Sequence, residues 1–550
     1  MDVCHRDGER ATDSWKKSGN NWYYLDSDGE MAIDQLIEDG DNYYYVDING
    51  VMASNQWVAI ENEDASDDNE PEHYWYYFQA NGKALTNGDN SNIALKTING
   101  KKYAFDEEGK MLYGWVAEDN AERIDNTDGD GFKEGDYYFG GEDDGAMTTG
   151  WLQMDITYDE ATNDYEIAPV FNEDEDQSRW FYFQSNGKKV KAKDGDVQKS
   201  KTINGKKYEF DQYGAMTAEW SLDVEKASKD GVRSGNSSSS TNSVAARYAQ
   251  EWRYFNSVED GARVSRGWFK VVPAEYLNYD KFNDGDDYWY YADGSGNLYA
   301  GEFKTIKGKK YAFKNDGRMI SGLHFIKEEN GGLTVRDDDY PEKPFDDEDR
   351  FDENALWYEK DGFDCYYFGD DDDGAMRTNK TSVTIDGDNY NFYFEKSGSK
   401  KGAGVTGEKD DKYYQSGKLV RAGSDEKYQV VKHVNETDAL GYDKLDDAGE
   451  FIAELDADAK YHVSTAVTQE NLDALGVNKK LEDIQEIAVI TRDVVVDGRT
   501  EVKSGTDAED FFLVNTSGKV IDSKSKNKDG NDYQFVVAKG GSILGYYVED

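Results

Sequence analysis

The chain has 550 residues, with 63 Lys plus Arg against 114 Asp plus Glu, for a formal net charge of −51. Nucleic-acid binding depends on counterion release to Lys and Arg clusters, so this balance excludes nucleic acid as a partner and disfavours anionic lipid surfaces. Acidic chains are disordered when aromatics are scarce, but 40 Tyr, 24 Phe and 12 Trp supply large apolar faces, while a hydrophobic content of only 37% keeps any core thin.

The N-terminal stretch Met1-Asp2-Val3-Cys4-His5-Arg6 has no apolar segment, and no run anywhere approaches the ~20 residues needed to span a bilayer. Membrane insertion is not expected. Repeat-like sequence starts already at Trp15, so we read the chain as missing its natural beginning. Two cysteines, Cys4 and Cys365, are too few for a disulfide scaffold.

From Trp15 onward one unit recurs: an aromatic triplet, a polar turn with Gly, then Met or another apolar residue, often followed by Gly-Trp. It runs through Trp22-Tyr23-Tyr24 with Gly29 and Met31, then Tyr43-Tyr44-Tyr45 with Gly50, Met52 and Trp57. Tyr137-Tyr138-Phe139 leads to Gly145, Met147 and Trp151, and Tyr366-Tyr367-Phe368 leads to Gly374 and Met376. A longer period overlies this one. The block from Lys96 to Phe105 recurs at Lys201 to Phe210 and at Lys304 to Phe313, preceded by aromatic clusters at Trp75, Trp180 and Trp289. The middle of the chain is therefore three copies of a three-hairpin unit.

Each block reads as strand, turn, strand. Asn99-Gly100 and Asn204-Gly205 suit the two positive-φ positions of a type I′ turn. Tyr103 and Phe105 alternate with Ala104, which places both rings on one face. An isolated hairpin is marginal in water, so each must stack its aromatic face on the next. The expected fold is all-β: an extended β-solenoid of stacked aromatic hairpins over residues 14–423.

Acidic insertions at Glu61 to Glu72, Glu118 to Glu134 and Asp337 to Asp352 are read as solvated loops, and Gly231 to Ser243 as a flexible loop. Residues 428–507 lose the triplets and gain a helical stretch at Thr468 to Leu481 and the apolar Ile487-Ala488-Val489-Ile490; we expect a small α/β insertion there. Degenerate repeats resume over 508–550, at Phe511-Phe512-Leu513 with Gly518 and Tyr533-Gln534-Phe535 with Gly541.

This pattern resembles the cell-wall-binding repeats of Gram-positive surface proteins, which include choline-binding and glucan-binding modules and the repeats of clostridial toxins. The resemblance implies a secreted or cell-wall location and aromatic boxes between successive hairpins. Carried over residue by residue, it nominates Trp57 with Trp75 and Tyr76, Trp115 with Tyr137 and Tyr138, Trp151 with Trp180 and Tyr182, and Trp268 with Trp289 and Tyr290, walled by Met52, Met111 and Met147. A cation over such faces gains about 0.5–2 kcal/mol per ring. The sequence departs from the family pattern in two ways. Trp57 to Trp75 is 18 positions and Trp151 to Trp180 is 29, longer than the family gap, and Lys102, Lys207 and Lys310 replace a leading Trp.

Catalytic chemistry finds no foothold. His5, His73, His324, His433 and His462 are scattered without flanking motifs, and Cys365 precedes an aromatic triplet, where a thiol packs. Asp125-Asn126-Thr127-Asp128-Gly129-Asp130 and Asp370 to Asp373 offer hard oxygen donors, but neither has EF-hand spacing; we expect no cofactor beyond weak calcium binding. The expected function is non-catalytic binding of a cell-wall polymer or other polysaccharide, with choline the second candidate ligand. The rivals are a structural stalk or adhesin with no small ligand, and the binding region of a larger surface hydrolase.

Overall fold

The computed structural model describes residues 8–550 apart from 9, 64, 66–69, 120, 127–128, 157–175, 194–198, 223–241, 337–346 and 370–371. Two compact units emerge: residues 1–233 with 251–267 and 292–297, and residues 234–250 with 268–291 and 298–550.

The first unit is a succession of antiparallel two- and three-stranded sheets. Ser14–Ser18 pairs with Asn21–Leu25, Gln35–Asp39 with Asn42–Val46, Gln56–Glu61 with His73–Phe78, and Gly150–Ile156 with Gln177–Phe183. The expected turn chemistry is present: Asn99 and Gly100 have φ of 50° and 84°, and Asn204 and Gly205 have 49° and 82°. After each hairpin a second turn follows. Asp26 Oδ1 accepts from the backbone N–H of Asp28 and of Glu30, and Leu25 then bridges to Met31.

Successive hairpins are tied by backbone as well as by rings. The N–H of the residue after each second turn donates to the carbonyl at the leading aromatic position one hairpin back. Examples are Met52 to Trp22 (2.9 Å), Met111 to Trp75 (2.7 Å) and Met216 to Trp180 (2.8 Å). The same bonds explain why Gly and Met recur together. A Cβ on Gly50 would stand 2.9 Å from the Met31 sulfur, and Gly82 meets Met52 and Gly261 meets Met216 in the same manner. Each methionine fills the space that the next hairpin's glycine leaves empty.

The second unit continues the scheme. Glu302–Ile306 pairs with Lys309–Phe313, and the N–H of Met319 and of Met376 donates to the carbonyls of Trp289 and Lys310. Larger sheets follow. Leu323–Glu329 is central to a three-stranded sheet, and Asn379–Ile385 with Asp388–Phe394 opens a five-stranded one. The chain is an all-β hairpin array, as the repeats predict.

Several expectations need correction. The helix Glu348–Lys360 occupies part of the expected acidic loop 337–352, because Asp347 caps it by accepting from the Arg350 N–H and Phe351 docks on Phe325 and Phe392. The helix Asn242–Glu251 takes the end of the expected flexible loop, with Asn242 Nδ2 held by Glu329 O and Thr334 Oγ1; the rest of that loop lies outside the described residues. The insertion at 118–134 carries a one-turn helix, Asp130–Glu134.

The boundary expected at 507/508 is crossed by ladders. Phe511–Asn515 pairs with Tyr428–Asn435, and Ile484–Val496 pairs with Ile543–Glu549. The helix Ala448–Ala457 buries Phe451 and Leu455 against Phe511, Phe535 and Tyr546, so residues on both sides of that boundary share a core. The apolar run Phe511-Phe512-Leu513-Val514 looks like a repeat triplet in the sequence, yet it completes the sheet of the segment before it.

Candidate functional site

Two indoles set at right angles define two of the candidate recesses. In the first unit Trp151 and Trp180 lie 6.3 Å apart at 88°. Trp151 also meets Tyr182 across the strand at 5.0 Å, and Tyr208 and Phe210 of the next hairpin at 4.9 and 5.8 Å. The hollow between them measures about 220 Å³ and is lined by Trp151, Trp180, Tyr208, Met216, Glu259 and Asp260. The second unit repeats this arrangement: Trp268 and Trp289 are 6.3 Å apart at 88°, with Tyr291 at 5.0 Å and Tyr311 at 4.9 Å. Around Trp57, Tyr77 stands at 5.1 Å and Tyr103 at 5.0 Å, with Trp75 and Met111 in the same cluster. The long gaps from Trp57 to Trp75 and from Trp151 to Trp180 fall between paired strands, so they leave the ring geometry intact.

A carboxylate caps the second indole in each case. Trp75 Nε1 donates to Asp143 at 3.0 Å, Trp180 Nε1 to Glu259 at 3.2 Å and Trp289 Nε1 to Asp372 at 2.7 Å. The indole bond and the His73 bond hold the Asp143 carboxyl below the usual range, and Lys270 with Trp289 does the same for Asp372.

The structure reassigns part of the site. Tyr76 and Tyr290 were expected to wall boxes, but strand alternation turns them to the opposite face. Tyr76 is 4% exposed and stacks on Phe78, and Tyr290 is fully buried against Phe269. Tyr77 and Tyr291, one residue on, take their place. Tyr137 is likewise buried, stacked on Phe139, while Tyr138 does meet Trp115 at 5.2 Å. Met52 and Met147 pack on Gly82 and Gly187 of the following turns; Met111 and Met216, one hairpin further, wall the recesses.

Trp115 forms no open box. It is 3% exposed, and the Lys189 ammonium sits 4.8 Å from its ring centre while donating to Phe132 O. Burial pushes this lysine far down, to about 7. Trp220 and Trp252 repeat the perpendicular pair (6.1 Å, 88°), but Trp252 is buried, so this pair packs; Glu219 in place of Gly hid it in the sequence. The carboxylates Asp143, Glu259 and Asp372 were also missed. Each follows a Tyr-Phe pair by four residues, and acids are too common in this chain for that to stand out.

A larger hollow of about 590 Å³ lies beside the same hairpins, lined by Tyr74, Tyr113, Asp106 and several other acids. Its two tyrosines are already covered, by Lys110 and Arg123 at 4.5 Å each. Among the described residues no cluster of acids, His or Cys is arranged to hold a metal ion; both acidic stretches considered for calcium lie partly outside the described residues. No helix among them is long and apolar enough to cross a membrane.

Residues 11–57 match the description of the choline-binding repeat. Over these residues the chain is similar to choline-binding repeats. A glucosyltransferase-S of Streptococcus mutans is 24% identical over 248 residues, which is 45% of this chain and 11% of that protein. Among solved structures, choline binding protein F of Streptococcus pneumoniae, in the presence of a peptidoglycan analogue, is 19% identical, covering 71% of this chain and 98% of that one at a TM-score of 0.34. The modular autolysin LytC of the same species, in complex with a synthetic peptidoglycan ligand, is 18% identical, covering 58% and 51% at 0.28. Superpositions this loose speak to neither ligand nor mechanism.

Proposed function

We propose that this chain is a non-catalytic, extracellular binding region that holds a cell-wall polymer through cationic groups carried on that polymer. The observation that carries this reading is the 220 Å³ hollow walled by Trp151, Trp180, Tyr208 and Met216 with Glu259 and Asp260 on its rim. Rings at right angles surround a compact group on several sides, whereas a sugar ring stacks on one flat face. An organic cation gains from each aromatic face, and nearby carboxylates add attraction in a surface already at −51. A quaternary ammonium fits both the size and the charge. Several weak sites on one chain gain avidity on the order of 10²–10⁴ when the polymer spans them.

Co-sedimentation with purified Gram-positive cell walls tests this. The folded chain is expected to pellet, Trp180→Ala should weaken its retention, and free tetramethylammonium should release it. A folded chain that stays in the supernatant rules the reading out, and pelleting that ignores both perturbations points to the glycan backbone instead. The rings at Trp115 and Trp252 serve packing on this account, since both are closed to ligand.

A further inference from the structure

Each indole-capping carboxylate has a second donor, and the three donors differ in charge. Glu259 accepts from the neutral Gln153 amide at 3.3 Å as well as from Trp180. Asp143 accepts from His73 at 3.1 Å as well as from Trp75. Asp372 accepts from the Lys270 ammonium at 2.8 Å as well as from Trp289. Gln153 and Lys270 occupy one structural position, two residues after the first tryptophan of their recess. Gln153 lies directly across the strand from Trp180, as Ala59 does from Trp75 and Lys17 from Trp22. Residues so paired sit within reach of each other's side chains. Where the position is lysine, its ammonium leans over the second indole: Lys17 is 5.8 Å from the Trp22 ring centre and Lys270 is 5.9 Å from that of Trp289.

We propose that this cross-strand residue decides which recess admits an external cation, with Gln153 leaving the Trp151–Trp180 recess open and Lys270 closing the Trp268–Trp289 recess as a built-in competitor. The inference rests on the cation reading above and adds selectivity to it. Lys270 supplies in cis the charge a ligand would bring, neutralises Asp372, and holds the aromatic face. Both partners are partly exposed, with side chains at 39% and 68%, and exposed pairs are individually weak. The lysine therefore competes by being tethered, at an effective concentration in the range of mM. Gln153 satisfies the same carboxylate without cancelling its charge. The chain thus carries recesses of one shape and graded affinity, and only some engage the polymer.

Equilibrium dialysis with tetramethylammonium, at matched ionic strength and below saturation, tests this with single exchanges in opposite directions. Gln153→Lys is expected to weaken its recess about fivefold and lower the cation bound per chain. Lys270→Gln is expected to raise it by opening another recess. Both residues are solvent-exposed on strands, so folding is not at stake. Gln35→Lys and Lys524→Gln, exposed positions away from the recesses, control for net charge and should change nothing. A parent chain that binds while both exchanges behave like their controls overturns the selectivity and leaves the cation reading standing. A parent and a Lys270→Gln chain that both fail to bind overturn the two together.

Discussion

The backbone N–H of Met111 donates to the carbonyl of Trp75 at 2.7 Å, and Met216 makes the same bond to Trp180 at 2.8 Å. One hydrogen bond thereby sets the distance between a ring that walls a recess and the hairpin that completes it. Stacking is not loose contact between apolar faces. It is fixed in register, and the methionine side chain seats on the next turn's glycine.

Gly261→Ala tests that seating. Gly261 has φ of 57°, and an added Cβ would collide with Met216. Left-handed strain and the collision together are expected to cost about 1–3 kcal/mol. Adding Met216→Ala should return part of that loss by removing the collision, which denaturant unfolding of the single and double variants measures.

Asp106→Asn should stabilise the fold at neutral pH. Burial pushes the Asp106 carboxyl up to about 7. An unfolded chain gives up this proton near the ordinary 3.8, so between 3.8 and 7 the folded state binds more protons and stability falls as pH rises. Asn keeps the acceptor for the Lys110 N–H and lacks the charge, as Asn515 shows at the matching turn position, where its Oδ1 accepts from the Lys519 N–H. Because the side chain is partly solvated, the expected gain at pH 8 is about 1–2 kcal/mol, vanishing near pH 4. Thermal unfolding at the two pH values reads it.

Acid should loosen the helix Glu348–Lys360 from the strands it packs on. Lys418 bonds Glu348 at 2.7 Å and Asp352 at 2.8 Å, and Lys444 reaches both at 3.1 and 3.0 Å. The two lysines hold the Glu348 carboxyl down at about 2 against burial. A depressed carboxyl stabilises fully above its unfolded value of 4.5, and this contribution is lost as pH falls from there to about 2. Lys418→Met strands two acids beside one remaining lysine and is expected to cost roughly 3–5 kcal/mol at pH 7. Hydrogen exchange along 348–360 would follow both perturbations.

Tyr76→Ala and Trp180→Ala should separate packing from binding. Tyr76 is 4% exposed on the core face, so its truncation is expected to cost about 3–5 kcal/mol. Trp180 lines an open recess, and losing it should weaken cation-dependent wall retention at a much smaller cost in stability. Paired unfolding and co-sedimentation measurements check both.

The hairpins were legible because their signals are local. Asn-Gly turns, ring alternation and the recurrence of Gly shortly before Met in each repeat are all short-range signals. The tryptophans of the recesses were legible for the same reason. Their neighbours were less so, since Tyr76 and Tyr77 differ by one position and only the strand register tells which faces Trp57. Met216 and Glu259 join Trp180 from later in the chain, and no local pattern announces that. The sheet joining Phe511–Asn515 to Tyr428–Asn435 is likewise a long-range pairing that composition could not reveal.

Anomalous diffraction from crystals soaked in tetramethylarsonium, a heavy-atom analogue of a quaternary ammonium, locates the ligand directly. The account predicts an arsenic peak between Trp151, Trp180 and Tyr208, with none between Trp268 and Trp289. A filled Trp268 recess beside an empty Trp151 recess, or arsenic confined to surface acids away from the paired indoles, would contradict it.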